Sequence, residues 1–259
     1  KVFSEGTSAF SRTMIKVPIT FNAEKLGISN INDNDEVENA DYYSLVYEQF
    51  VKNYPYSNDE EEKQIIKLLS PDYEFEVKNY FLFSFNFPSD YPHTPPEVKF
   101  HTNDGYTRFH PNLYRNGKVC VSILNTWKGP GWTSCMTIRT VLITLVTLFH
   151  NKPLLNEPGI TERHHAFNSY NKIIEFRNYE TAIKNIMNKK ILPISFISLW
   201  PLIKRHFERN KEEIINNLNK LKEKNPETKT YKTGIYGMTC TVDYEWIIKE
   251  INQAYKELI

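Results

Sequence analysis

Strands first and helices after is the order along these 259 residues, and it predicts an α+β fold. Two observations carry that prediction. Aromatic-rich segments of period two gather between residues 65 and 100, and apolar residues at helical spacing take over from Ile138. Composition agrees: 40% hydrophobic and 14% aromatic residues supply a real core and exclude a wholly disordered chain. The length suits one large domain, or one domain with a substantial extension.

Residues 1–45 have weak periodicity and many Asn, Asp and Ser; they read as an arm with one short strand, Met14–Phe21. Ala40–Tyr54 fits an amphipathic helix or, around Phe50–Tyr56, a strand, and the pattern does not decide between them. Ile65–Leu69 reads as a strand stopped by Ser70-Pro71. Tyr80–Phe87 sets Phe81, Phe83, Phe85 and Phe87 on one pleat face, a strong strand signal. Glu97–Phe100 is a further strand after a proline-rich corner, and short spacings without helices predict an antiparallel meander. Residues 109–135 are dense in Gly, Pro, Asn and Trp with no sustained period, and a loop that long inside a domain usually serves a function. Thr137 is placed to cap a helix carrying Ile138, Val141, Leu142, Leu145 and Phe149. Beyond Pro158-Gly159, helices are predicted over Phe167–Met187, Leu199–Leu221 and Tyr244–Leu258.

Charge and cysteine usage exclude several classes. With 32 basic and 31 acidic side chains the net charge is +1, so no global field draws the chain to nucleic acid. Locally, residues 31–62 carry ten acids against Lys52, and residues 163–232 carry fifteen bases against seven acids; these read as solvated faces, or as faces that meet each other. Nine glycines are too few for a collagen-like chain, glycine-rich low complexity or repeated phosphate loops. Cys120, Cys135 and Cys240 are too few and too scattered for a disulfide scaffold, so a reducing compartment, the cytoplasm or the nucleus, is expected. The longest apolar stretches, Val141–Phe149 and Ile191–Trp200, fall well short of a bilayer span, and no secretory leader is expected. A start at Lys1 rather than Met fits a piece of a longer protein.

The informative stretch runs from His110 to Cys120. A lone cysteine between a sheet and a helix, preceded by Gly117 and Lys118, is a candidate exposed thiol, and equally a buried cysteine that packs as a small hydrophobe. Asn112, eight residues before it, is a candidate neutral donor to a developing oxyanion. Pro111 directly after His110, with no Gln or second Asn constellation, argues against a Cys–His hydrolase. The cysteines with His93, His101, His110, His164 and His165 form no paired ligand spacing, which argues against zinc.

His110-Pro111-Asn112, the Asn112-to-Cys120 spacing, Trp132 and the helix after it resemble the ubiquitin-conjugating enzyme family. The resemblance extends to Tyr80–Phe83, Phe87–Pro92, Pro95–Phe100 and Asn156–Gly159, and covers about Lys63 to Asn178. The insert Thr126–Gly131 before Trp132, with Asn156–Gly159, resembles the subgroup with long C-terminal extensions: the conjugating enzyme Z type and the conjugating domains of giant inhibitor-of-apoptosis proteins.

That resemblance implies a meander of about four strands packed on helices, organised as an arm (1–45), a conjugating core (46–178) and a helical C-terminal extension (179–259). It implies that Cys120 accepts ubiquitin or a ubiquitin-like modifier from an activating enzyme as a thioester and passes it to a lysine or a ligase thiol. Asn112 would donate to the oxyanion or hold the loop; Glu157 would act as a gate that orients the lysine, or as a rim carboxylate. His110, Pro111 and Trp132 are expected as structural support, Trp127 as a second lid, and Cys135 and Cys240 as packing. His93, Ser134 and Cys135 fall where ligase-binding loops lie, but with atypical residues. The family's turn of Tyr-Glu-Gly-Gly is Glu76-Val77-Lys78-Asn79 here, and the usually basic first helix corresponds to an acidic region. No bound cofactor or metal is implied, since ATP is spent by the activating enzyme, and the partners implied are modifier, activating enzyme, ligase and protein substrate, with neither nucleic acid nor membrane. The alternative is a catalytically idle ubiquitin-binding or docking domain of a larger protein.

Overall fold

The computed structural model describes the backbone of residues 14–19 and residues 79–258. The candidate elements at Ala40–Tyr54 and Ile65–Leu69 and the acidic run 31–62 lie outside the described residues, as does most of the arm. Within them, β1 (Met14–Ile19), β2 (Phe81–Asn86) and β3 (Glu97–Phe100) form an antiparallel sheet in the order β1-β2-β3. Met14 faces Asn86 and Ile19 faces Phe81, while Phe83 faces Phe100. Pro18 has no N–H to give a ladder, which suits β1's place at the edge of the described strands.

β2 is buried on both faces, more than its alternation alone predicts. On one face Phe81 stacks on Phe149 with ring centroids 4.1 Å apart, and Phe83 meets Phe100 at 5.2 Å. On the other, Ser84 hydrogen-bonds His101, whose ring lies 5.0 Å from Phe196. Just before β2, the Tyr80 hydroxyl donates to the Ile203 carbonyl at 3.3 Å and its N–H to the Ala182 carbonyl at 2.9 Å. The C-terminal extension covers the second face, which is why no polar alternation marks it.

α1 (Ile138–Thr147) turns Ile138, Val141, Leu142 and Leu145 inward. The Thr137 carbonyl accepts from Val141 N–H, and the Thr140 hydroxyl accepts from Thr137 N–H, so this end is closed by a side chain inside the helix. α2 (Phe167–Tyr179) continues through a π turn at Glu180–Lys184 to Met187. α3 spans Trp200–Lys224, with proline in its first turn where a missing N–H costs nothing.

The extension is not helical throughout. β4 (Lys229–Thr233) and β5 (Met238–Val242) form an antiparallel hairpin with Thr233 opposite Met238, packed on α2. Met238, Cys240 and Val242 face the core and the threonines between them face out, a period-two pattern that helical spacing cannot satisfy. α4 (Tyr244–Lys256) follows at once, capped by the Asp243 carboxylate accepting from Trp246 N–H at 2.8 Å. One apolar cluster runs unbroken from Tyr80 to Ala254, so core and extension share it.

Candidate active site

The segment around Cys120 is a small hairpin rather than an open loop. Leu113 bridges Val119, Tyr114 N–H donates to the Lys118 carbonyl at 2.9 Å, and the Gly117 carbonyl accepts from Phe100 N–H at 2.8 Å, anchoring the turn to β3. Gly117 sits at φ +87, and a Cβ there would lie 2.7 Å from the Phe100 carbonyl oxygen, so glycine is required twice over.

Across this hairpin Asn112 and Cys120 face each other. Cys120 N–H donates to the Asn112 carbonyl at 2.9 Å, and Asn112 Nδ2 donates to the Cys120 carbonyl at 2.5 Å. An amide NH2 carries two hydrogens, so holding the loop leaves one N–H for another acceptor. His110 is buried; its Nδ1 accepts from Asn112 N–H at 3.0 Å, which places the ring proton on Nε2. Burial first, then the neighbouring His150 and Arg108, push the His110 imidazole down to about 3. Thr126 closes the other side, its hydroxyl accepting from Val121 N–H at 3.0 Å.

The thiol is not open to solvent as expected: Cys120 is 2% exposed. Yet among the described residues it stands outside the apolar cluster to which both neighbours, Val119 and Val121, belong. Cys135, expected to pack, is exposed, with its sulfur 3.2 Å from the Thr133 hydroxyl. Cys240 is buried in the cluster, and burial pushes its thiol up to about 11.

Arg108 ties the hairpin to the extension. Its Nε and Nη2 donate to the carbonyls of His110 (3.2 Å) and Pro111 (2.5 Å), and Pro111 itself is buried. Its guanidinium lies 3.6 Å from the Tyr114 ring centroid and 4.7 Å from that of Tyr236, at the tip of the β4–β5 hairpin. Tyr170 of α2 donates its hydroxyl to the Arg108 carbonyl at 2.8 Å. Arg115 donates to the Tyr236 carbonyl, and the Tyr236 hydroxyl donates to Glu157. Glu157 follows the 3-10 turn Pro153–Asn156 and is half-buried. Burial and the Glu157 carboxylate hold the Tyr236 phenol far above its ordinary value, so it stays a donor at neutral pH.

His93 and Ser134 are exposed, and Trp132 joins their loops by donating its indole N–H to the Pro92 carbonyl at 2.7 Å. Trp127 is about half exposed rather than a closed lid. Sequence reasoning missed Arg108, Arg115, Tyr170 and Tyr236; only the alternation of Met238–Val242 behind Gly234 and Gly237 could have marked Tyr236 as a hairpin tip. Among the described residues no three His, Cys, Asp or Glu side chains are grouped to hold a metal ion. No helix among them is long and apolar enough to cross a membrane.

A family model described as ubiquitin-conjugating enzyme matches residues 45–184, and one described as a domain of unknown function matches residues 1–83. The chain is 40% identical over 131 residues to ubiquitin-conjugating enzyme E2 Z of Danio rerio, covering 49% of this chain and 39% of that protein. It is 45% identical over 114 residues to the E2 Z of Homo sapiens, covering 43% of this chain and 32% of the relative. It is also 40% identical over 111 residues to the human dual E2 ubiquitin-conjugating enzyme/E3 ubiquitin-protein ligase BIRC6, covering 39% of this chain and 2% of that protein. The matched region spans well under half the length of these relatives.

Proposed function

The chain belongs to the ubiquitin-conjugating enzyme family, and from that premise we propose that Cys120 accepts ubiquitin or a ubiquitin-like modifier as a thioester and passes it to a lysine or a ligase thiol. The observation that carries this reading is the two-point bond between Asn112 and Cys120, which fixes the cysteine backbone within reach of a neutral amide donor.

The Cys120 thiolate attacks the thioester carbonyl on the activating enzyme. A new C–S bond forms and the activating enzyme's thiolate leaves, an exchange close to neutral in energy. A lysine amine then attacks the Cys120 thioester: the N–C bond forms, Cys120 leaves as thiolate, and the ammonium proton passes to a base. The Asn112 N–H not used by the Cys120 carbonyl serves the tetrahedral oxyanion, a contribution of about 10²–10³ in rate. Glu157 orients the amine and accepts the proton, since a carboxylate alone would raise the lysine pKa and slow attack. The modifier's C-terminal tail must uncover the thiol before the first step. His93 and Ser134 form the region offered to a ligase.

The test is charging with ATP, activating enzyme and modifier. Wild type should give an adduct cleaved by reductant, and Cys120→Ser a reductant-resistant oxyester. Asn112→Ala should still charge but discharge to lysine about 10²-fold more slowly. A charged Cys120→Ala variant would overturn the assignment. The near-complete burial of Cys120 favours one competing reading, an idle docking domain; it predicts no adduct with any activating enzyme.

A further inference from the structure

The tip of the C-terminal hairpin carries a side chain to Glu157 and to Arg108, which holds the start of the Cys120 hairpin. Four residues, Gly234 to Gly237, join β4 to β5, and within them Tyr236 holds a left-handed backbone at φ +59. A bulky residue pays a conformational cost there, and such outliers persist only where surrounding contacts over-determine them. Here the carbonyl, ring and hydroxyl of Tyr236 are all engaged. Its carbonyl accepts from Arg115, its ring lies against the Arg108 guanidinium and 5.9 Å from the Tyr170 ring, and its hydroxyl donates to Glu157. Arg108 in turn grips the His110 and Pro111 carbonyls of the Cys120 hairpin.

We infer that Tyr236 is a positioning residue for lysine transfer: its hydroxyl orients the Glu157 carboxylate, so the extension completes the acceptor side of the site rather than only supporting the core. The inference rests on Glu157 as the gate. One carboxylate oxygen is fixed by the phenol, and the remaining lone pairs are turned to a defined direction in which an amine is received and its proton taken. A thiol acceptor, which attacks as the thiolate, has no use for that base.

Tyr236→Phe keeps the ring, and with it the Arg108 and Tyr170 contacts, while removing the hydroxyl. With the full chain charged on Cys120, discharge to free lysine should slow about tenfold at saturating lysine, the size of one lost hydrogen bond to a charged group. Charging, discharge to glutathione and the melting temperature should hold within twofold or a few degrees. In a Glu157→Gln background the Tyr236→Phe change should add nothing. Lysine discharge at the wild-type rate, or faster, in Tyr236→Phe overturns the inference, as does an equal slowing toward glutathione. If Glu157→Gln itself discharges to lysine at the wild-type rate, the gate assignment and this inference fall together; if only Tyr236→Phe is silent, the gate stands alone. Should Tyr236→Phe unfold, 3-fluorotyrosine at the same position keeps the shape with a stronger donor, and an unchanged lysine rate then overturns the inference.

Discussion

Three cysteines occupy three environments, and their reactivities should separate accordingly. Cys135 is exposed, Cys120 is buried but outside the apolar cluster, and Cys240 is buried within it with its thiol held protonated. Alkylation of the native chain, followed by mass spectrometry, should label Cys135 first, Cys120 more slowly and Cys240 only on unfolding. Labelling of Cys240 before Cys120 would contradict the geometry. His110 makes a separate prediction. Its imidazole is neutral in the fold down to about 3, whereas the unfolded chain gains that proton near the ordinary imidazole value of 6.5. The unfolded state therefore binds more protons in that window, so stability falls as pH drops from 6.5 toward 3, by up to about 1.4 kcal/mol per pH unit from this residue. Denaturant titrations of His110→Asn, whose amide oxygen can still accept from Asn112 N–H, should show a flatter dependence between pH 6.5 and 4.

Backbone geometry at the level of the hairpins decides how the site is held. Gly117 combines a positive φ with a carbonyl where a Cβ would go, so Gly117→Ala should cost more than about 1 kcal/mol and slow charging as well, because the turn sets the Cys120 register. Thermal melting and a charging assay on the same sample check both. β2 and β3 and the start of the helical half were legible because alternation and helical spacing are local and strong there. The pairing of β1 with β2 was not, because β1 joins across more than sixty intervening residues and pairing over that distance leaves no local trace. The β4–β5 hairpin was missed despite Met238-Thr239-Cys240-Thr241-Val242, since flanking helical stretches dominate the surrounding windows. At the site, the His110–Cys120 stretch was legible only through its resemblance to the ubiquitin-conjugating enzyme family, whereas the burial of Cys120 and the grip of Arg108 and Tyr236 are tertiary facts that no local pattern encodes.

At the scale of the molecule, a single apolar cluster spans the sheet, α1, α2 and the extension. Tyr80 hydrogen-bonds α3 and Phe176 meets Tyr244 at 5.8 Å, so the extension is built on the same core. Unfolding followed by far-ultraviolet and by tryptophan signals should therefore superimpose in one transition. Phe207→Ala, deep in the extension, should lower stability by about 3–5 kcal/mol and shift both signals together. Two separated transitions would mean that the extension is an independent unit. The bond from Arg115 to Tyr236 joins residues 121 positions apart. On a ribosome, at about 5–20 residues per second, the clasp around the Cys120 hairpin must then wait roughly 6–24 s after Arg115 has been translated. A nascent chain stalled before Tyr236 would carry the sulfur without the brace that sets its neighbours, so this side of the site closes only after the β4–β5 turn has been made.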